Sequence, residues 1–216
     1  MPGGTAVDPS LARQRLIRQL QLAYSGERAA AYAYRGHWKS VRDPGEKARI
    51  RQIEDEEWDH RDIVGGLLRQ LDAGPRGWRE ARALVIGRVL GALCHVAGWF
   101  APMYGAGKLE RRNIVEYEDA ARYAIASGHP DFLECLLHMA EVEWDHEQYF
   151  RARVSGHAWL RWWAAPPPRE AIRNGYSARR RRRCRPRGAA GPPLPRACGG
   201  SAPLSAARLP PGTRSR

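Results

Sequence analysis

The string Glu-Trp-Asp-His occurs twice in this chain, at residues 57–60 and again at 143–146. Residues three apart on an α-helix lie one turn from each other on the same face. The glutamate and the histidine of each string can therefore hold one metal ion together, provided that both strings are helical. The repeat predicts two similar metal-binding helices, and this is the strongest constraint that the sequence places on the fold.

A second glutamate precedes the first string and competes for the ligand position. Glu56 lies four residues before His60, so it can share a helix face with this histidine as well. The residue at the matching position of the second copy is Val142, whereas Glu143 matches Glu57. The comparison of the copies favours Glu57.

Each string is predicted to follow a helix that carries an acid of its own. In the first half this acid is Glu27, and in the second half the choices are Glu116 and Glu118. When the halves are aligned by Tyr34 and Tyr123, Glu27 and Glu116 each lie seven residues before a tyrosine, two helical turns along one face. The alignment favours Glu116.

The resulting pattern is Glu, Glu-x-x-His, Glu, Glu-x-x-His on four successive helices, which is typical of helix bundles that hold two iron or two manganese ions. Carboxylate oxygens suit these cations, and four buried acids without cations would be costly. We therefore expect two iron ions, with manganese as the alternative. The predicted metal ligands are Glu27, Glu57, His60, Glu116, Glu143 and His146.

Capping signals place the four helices. Asp8-Pro9 and Asp43-Pro44 each combine a capping carboxylate with a proline at the first helical position. No stretch of the sequence alternates apolar and polar residues as a half-buried strand does. The prediction is an all-α, antiparallel four-helix bundle, with helices over Pro9–Ser40, Pro44 to about Gly74, about Lys108–Ser127, and Pro130 to about Val154.

Residues 83–104, between the two helix pairs, are apolar on nearly every side but are interrupted by Arg88, His95 and several glycines. The segment is too interrupted to predict a membrane span. One interpretation of residues 84–104 is a buried connecting helix.

The positive charge of the chain is concentrated after a Pro-Pro-Pro break at residues 166–168. Residues 169–216 contain 13 arginines, no lysine and one acid, and so contribute +12 of the net charge of +13. Residues 1–8 and 166–216 are predicted to be disordered, which leaves 9–165 as a nearly neutral helical domain. Nucleic-acid binding is then expected at most through the tail, whose composition also fits a stretch read out of frame.

The four cysteines are scattered without a C-x-x-C pair, and the N-terminus lacks the features of a secretory signal. These features favour a reducing, cytoplasmic location, with contact to the inner face of the membrane as an extension.

The chain resembles the ferritin-like superfamily and, within it, the demethoxyubiquinone hydroxylase family. The resemblance covers about Leu16 to Val154 and rests on these stretches: GERAAAYAYRGH, EEWDH, VLGALCHVAGWFAPMYGAGKLE, VEYEDAARY and EVEWDHEQY. It implies that the six predicted ligands match those of the family, and that a di-iron centre uses dioxygen to hydroxylate a quinone ring in an apolar channel. Residues 84–104 would then line this channel or make peripheral contact with a membrane surface, as the alternative to a buried connecting helix. After His146 the family continues with another amphipathic segment. In this chain, three prolines at 166–168 and an arginine-rich segment follow instead.

These observations predict a di-iron hydroxylase of a quinone-like or other apolar substrate, with an unidentified electron donor. Tyr34 and Tyr123 are candidate catalytic residues, which either hydrogen-bond a ligand or fill the core. A rubrerythrin-like protein that reduces peroxide or oxidises iron is the alternative. A metal-free helical binding protein with a basic tail is the alternative from another class.

Overall fold

The computed structural model describes residues 8–157 and 169–173, and within these residues the chain is helical, with short connections and no strand. The all-helical prediction is confirmed. The elements are α1 (Pro9–Ser40), α2 (Pro44–Gln70), α3 (Gly77–Leu93), α4 (Phe100–Ala126), a 3-10 turn (Pro130–Phe132) and α5 (Leu133–Val154).

The predicted capping residues start the first two helices. The side chain of Asp8 accepts a hydrogen bond from the backbone of Ser10 at 2.9 Å, and that of Asp43 accepts one from Glu46 at 2.8 Å. The predicted bounds of α1 are confirmed at both ends. α2 ends at Gln70, a few residues earlier than predicted, because Asp72 adopts a left-handed conformation with φ of 49°.

The apolar segment between the helix pairs is split rather than continuous. α3 covers its first half, and α4 begins at Phe100, eight residues before the predicted start at Lys108. Gly98 lies in the break with φ of 74°, a backbone conformation that suits glycine. The two helices can therefore change direction between residues 94 and 99.

α1 is the central helix, since it packs against α2, α3 and α4, while α4 packs against α5. The start of α1 meets the end of α2, where Arg13 Nη2 donates to the carbonyl oxygen of Leu71 at 2.6 Å. One core cluster uses residues 16–23 of α1, 64–68 of α2 with Leu71 just after it, 114–124 of α4 and 135–140 of α5. The other uses residues 30–34, 50–53, 103 and 150–154. Each of these four helices thus has an interval of about two to three turns between the two apolar clusters.

α3 lies directly on the backbone of α1. A Cβ atom added to Gly87 would lie 2.5 Å from the carbonyl oxygen of Ala29, and one added to Gly91 would lie 2.8 Å from that of Tyr32. Real Cβ atoms do not approach backbone oxygens so closely. The glycines that interrupt the apolar segment in the sequence therefore permit this helix contact.

The outer face of α3 and the following turn is apolar and exposed. Val85, Val89 and Val96 are 60%, 52% and 80% exposed. The interpretation of this segment as a buried connecting helix therefore does not hold for its outer face. None of the helices in the described ranges is long and apolar enough to cross a membrane.

Residues 169–173 are helical and pack on α5, although they fall within the tail predicted to be disordered. Ile172 is buried in the first core cluster, and Arg173 donates to Glu134 at 2.8 Å and also binds Glu141. An apolar side chain and an arginine that matches acids on α5 explain this packing. The other residues predicted to be disordered lie outside the described residues, namely 1–7, 166–168 and 174–216. Residues 158–165, which belong to the predicted helical domain, also lie outside them.

Candidate metal centre

Six buried side chains meet in the interval between the two core clusters, and they form two groups of four. Within each group, one potential ligand atom from every residue lies within 4.8 Å of the others. Glu57 and Glu143 belong to both groups. The first group adds Glu27 and His60, and the second adds Glu110 and His146. Two cations could therefore each take one histidine and one glutamate, and share the other two glutamates.

Four helices supply these side chains in the predicted order. α1 carries Glu27, α2 carries the first Glu-x-x-His pair, α4 carries a single glutamate, and α5 carries the second pair. Five of the six predicted ligands are brought together. The structure departs from the prediction on α4, where Glu110 lies in the cluster and Glu116 does not.

The helical geometry of α4 explains why Glu116 lies outside the cluster. Six residues separate it from Glu110, which turns the two side chains about 120° apart around the helix axis. Glu110 is fully buried, whereas Glu116 pairs with Arg112 at 2.6 Å and its side chain is 27% exposed. The predicted ligand Glu116 is therefore replaced by Glu110 in this cluster.

A sequence signal for Glu110 was present but was overlooked. The pattern Glu-Arg-x5-Tyr occurs at Glu27–Tyr34 and again at Glu110–Tyr117. Aligning the halves by Tyr117, instead of Tyr123, would have selected Glu110.

The two tyrosines of this repeated pattern bind across the cluster. The hydroxyl group of Tyr34 on α1 donates to Glu110 on α4, and that of Tyr117 on α4 donates to Glu27 on α1. Tyr34, one of the two tyrosines predicted to belong to the site, thus lies beside the cluster. The other, Tyr123, does not lie beside it. Its ring is half-buried against the first core cluster and lies 6.0 Å from the guanidinium carbon of Arg15.

The ring nitrogens of His146 have different partners. Nδ1 faces the cluster, 3.4 Å from Glu57 Oε1 and 3.6 Å from Glu143 Oε2. Nε2 lies 2.6 Å from Glu56 Oε2. A carboxylate on the outer nitrogen holds the proton there and leaves the inner nitrogen free to bind a cation, as is usual for histidine ligands.

Glu56 therefore orients His146 and is not itself part of either group. Besides His146, it accepts hydrogen bonds from Arg49 at 3.2 Å and from Gln52 at 2.8 Å. The preference for Glu57 over Glu56 agrees with this placement. The second copy has no such acid, because Val142 stands at the matching position, and His60 instead contacts Glu143 Oε1 through Nδ1 at 3.0 Å.

Several polar atoms of the cluster lack the hydrogen bonds that buried polar atoms normally make. Among the described residues, no hydrogen-bond partner exists for either carboxylate oxygen of Glu57, for Glu27 Oε2 or for His146 Nδ1. Buried polar atoms without a partner are costly and rare in folded proteins. All four atoms are potential metal ligands, so the donor set fits a pair of cations.

Burial and mutual repulsion perturb the acids of the cluster. Burial, followed by the charge of Glu57, raises the pKa of Glu27 well above its usual value, and burial with the charge of Glu143 does the same for Glu110. Burial also favours the uncharged form of Glu143, but contacts with His146 and His60 outweigh it and hold the pKa of this carboxyl below its usual range. Burial lowers the pKa of His146, but Glu143 and Glu56 outweigh this and raise it. The cluster thus favours bound positive charge.

Cavities approach the cluster from two sides. The apolar cavity, of about 380 Å³, is lined by α1, α3 and α4 and includes Tyr34, Leu90, Ala101 and Leu109. The small cavity, of about 40 Å³, is lined by Glu27, Tyr117, Asn113 and Glu116, among others. Tyr34 and Tyr117 thus each form part of a cavity wall and also contact an acid of the cluster.

Comparison of the chain with protein-family models, with curated proteins and with solved structures finds no match.

Proposed function

We propose that the protein is a di-iron carboxylate oxidoreductase that hydroxylates an apolar, quinone-like substrate with dioxygen. The observation that carries the proposal is the pair of overlapping ligand groups that share Glu57 and Glu143. In this proposal α1, α2, α4 and α5 form a ferritin-like antiparallel four-helix bundle, and α3 is the insert that resembles the demethoxyubiquinone hydroxylase family.

The charge and the type of the ligands favour two iron ions. Four carboxylates and two divalent cations have a total charge of zero, which removes the cost of burying the acids together. Oxygen-rich sites with two imidazoles suit iron and also manganese. The proposed ligand set is Glu27, Glu57, His60, Glu110, Glu143 and His146.

Bound iron would supply the electron-transfer steps with dioxygen, for which protein side chains are unsuited. The surrounding residues have separate roles. Tyr34 orients Glu110, and Tyr117 orients Glu27. Glu56 keeps the proton of His146 on its outer nitrogen. Residues that hold the ligands in this way also limit how far the carboxylates can shift.

The apolar cavity supports a substrate of low polarity. Its volume of about 380 Å³ is within the range of small-molecule sites, and alanine, leucine and glycine supply much of its wall. Tyr34 forms part of this wall and also contacts Glu110 of the cluster. A ring held in the cavity would therefore lie next to a residue that touches the metal ligands. The electron donor would be a separate protein or small molecule.

A membrane surface is a source from which such a substrate could be collected. Peripheral contact through residues 84–104 is supported by the exposed Val85, Val89, Leu93 and Val96. Cosedimentation with neutral phosphatidylcholine vesicles tests this contact. We expect Val89→Asp to reduce it several-fold and Val115→Asp, at an exposed position of α4, to leave it unchanged.

The metal content of the purified protein after anaerobic addition of ferrous iron is the first test. We expect about two irons per chain, and an optical or Mössbauer spectrum of two coupled ions after exposure to air. No bound iron would overturn the proposal in favour of a metal-free helical binding protein.

The reaction is tested by oxygen uptake with a short-chain quinone and a chemical reductant. Hydroxylated product formed in proportion to the oxygen consumed supports the hydroxylase. Rapid peroxide turnover without product supports the rubrerythrin-like alternative, which uses the same metal site.

A further inference from the structure

A third cavity lies at the start of α3, on the side of α1 where α4 also passes. We call it the arginine cavity, and its volume is about 360 Å³. Three arginines and one acid contribute to its wall: Arg79, Arg82, Arg112 and Glu116. Arg112 and Glu116 neutralise each other through an ion pair at 2.6 Å. Two positive charges of the wall are left without a matching acid in the cavity.

Arg79 is the residue that most needs a partner. Its Nε and Nη1 atoms are buried, and within the described part of the chain they have no hydrogen-bond partner. The adjacent acid, Glu80, makes no ion pair with Arg79. Its Oε2 atom is bound by Arg28 at 3.3 Å and by Arg61 at 2.5 Å. The guanidinium carbon of Arg79 lies 5.3 Å from the ring centre of Trp78, but this contact provides no hydrogen-bond acceptor for the two buried nitrogen atoms. A half-buried guanidinium group without an anion loses hydration that such a contact does not replace.

The position of Arg79 in the helix offers no local explanation. It is the third residue of α3, whose first turn carries the positive end of the helix dipole. A cation at this end is unfavourable, whereas an anion bound there is stabilised. Arg79 and the start of α3 therefore both favour a negatively charged ligand.

The remainder of the wall is apolar. Leu22, Trp78, Ile86 and Leu109 line the cavity, and each is between 38% and 60% exposed. A small inorganic anion would leave this surface in contact with water. A ligand with an anionic head and an apolar body would cover it and pair with Arg79 at the same time.

We propose that the arginine cavity binds an amphipathic anion, with its phosphate or carboxylate group on Arg79 and Arg82 and its apolar part against Leu22, Ile86 and Leu109. The cavity shares Gly26, Leu109, Asn113 and Glu116 with the small cavity beside Glu27. The bound ligand therefore lies next to the metal centre, but its binding requires neither metal nor the proposed reaction.

Isothermal titration of the full chain with dodecyl phosphate, below its micellar concentration, tests the inference. We expect a saturable site, distinct from any binding at the tail, that Arg79→Met weakens at least tenfold. Arg88→Met is the matched control, because this arginine lies on the same helix outside the cavity, and it should leave binding unchanged. The tail arginines are present in all these proteins, so binding at the tail cancels in the comparison.

Charge and chain length are tested with two further probes. Dodecyltrimethylammonium should not compete for the site, and inorganic phosphate should bind at least tenfold more weakly than dodecyl phosphate.

If circular dichroism shows that Arg79→Met does not fold, Arg82→Met and Arg79→Lys replace it, and we expect each to lose part of the affinity. Equal binding of the anionic and cationic detergents, or equal binding by the parent and the cavity variants, would overturn the inference.

Vesicles distinguish the two sources of the anion. Binding to phosphatidylglycerol vesicles that depends on Arg79 would identify a lipid headgroup as the natural ligand. Binding of dodecyl phosphate alone would identify a free amphipathic metabolite. Both results support the anion site, and they differ only in its occupant.

Discussion

The hydroxyl group of Tyr117 on α4 donates a hydrogen bond to the carboxylate of Glu27 on α1. Tyr34 on α1 makes the reciprocal bond to Glu110 on α4, so each helix orients the acid of the other. Burial and the charge of Glu27 raise the pKa of Tyr117 well above its usual value. The phenol therefore remains protonated at neutral pH and acts as a donor.

We expect Tyr117→Phe to weaken metal binding roughly tenfold or more, because hydrogen bonds to ligands typically contribute 10- to 100-fold to affinity. Titration with Mn²⁺, followed by electron paramagnetic resonance, measures this. Tyr123→Phe is the control and should bind as tightly as the parent protein. Equal affinities for all three proteins would remove Tyr117 from the site.

The assignment of the sixth ligand is tested by replacing Glu110 and Glu116 of α4 one at a time. Glu110→Ala should reduce the iron content from about two per chain to one or fewer, since a buried ligand is lost. Glu116→Ala should retain about two irons, because its carboxylate pairs with Arg112 outside the cluster. Metal analysis of the reconstituted proteins measures both. If Glu116→Ala lost iron and Glu110→Ala retained it, Glu116 would be the ligand, as the alignment by Tyr123 predicts.

Metal binding should stabilise the fold, because the ligands come from four separate helices. At a free Mn²⁺ concentration about 100 times the dissociation constant, the free energy of unfolding should rise by about 2.7 kcal/mol for each bound ion. Thermal unfolding with and without Mn²⁺ measures the effect. The Glu57→Ala variant should lose most of the stabilisation by Mn²⁺. The Asp59→Ala variant, changed at an exposed position on the same helix, should keep this stabilisation. A stabilisation that survives Glu57→Ala would show that the cations bind elsewhere.

His37 makes the stability depend on pH. Burial lowers the pKa of this imidazole to about 4, and its Nε2 atom has no hydrogen-bond partner among the described residues. Between pH 6.5 and pH 4 the unfolded chain binds a proton that the folded chain does not, so stability falls as the pH falls. The shifted pKa of His37 lowers the free energy of unfolding by about 3 kcal/mol in total once the pH is below 4.

Urea unfolding at several pH values checks this expectation by comparing the parent with His37→Gln. The variant should lose less stability than the parent as the pH falls from 6.5 to 4. Arg42, Asp43, Glu46 and His95 line the cavity beside His37 and are the same in both proteins, so their titration cancels. Parallel pH profiles would mean that the pKa of His37 is the same in the folded and the unfolded chain.

The contact between α1 and α3 is tested by adding a methyl group. Gly87→Ala should destabilise the protein by about 1–3 kcal/mol, because its Cβ would lie 2.5 Å from the carbonyl oxygen of Ala29. Gly105→Ala has nothing within 4 Å and should stabilise α4 by about 0.5–1 kcal/mol through helix propensity. Urea unfolding of both variants measures the difference. A neutral Gly87→Ala would indicate that α3 can move away from α1 at little cost.

The sequence by itself determined the helical class and five of the six side chains of the candidate centre. Local rules suffice for these, since capping by Asp8 and Asp43 and the spacing of Glu-x-x-His act within one helix. The break at Gly98 and the glycine contacts of α3 were not predicted, because they depend on which backbone approaches which.

The choice between Glu110 and Glu116 was decided by the tertiary structure. Both acids lie on α4, and either could belong to a metal-binding face of an isolated helix. The rotation of α4 about its own axis is set by packing of Ile114, Ala121 and Ala124 into the first core cluster. That packing turns Glu110 inward and leaves Glu116 at the edge, because side chains six residues apart differ by about 120° in direction. Rotation about the helix axis depends on long-range contacts, which spacing along one helix does not reveal.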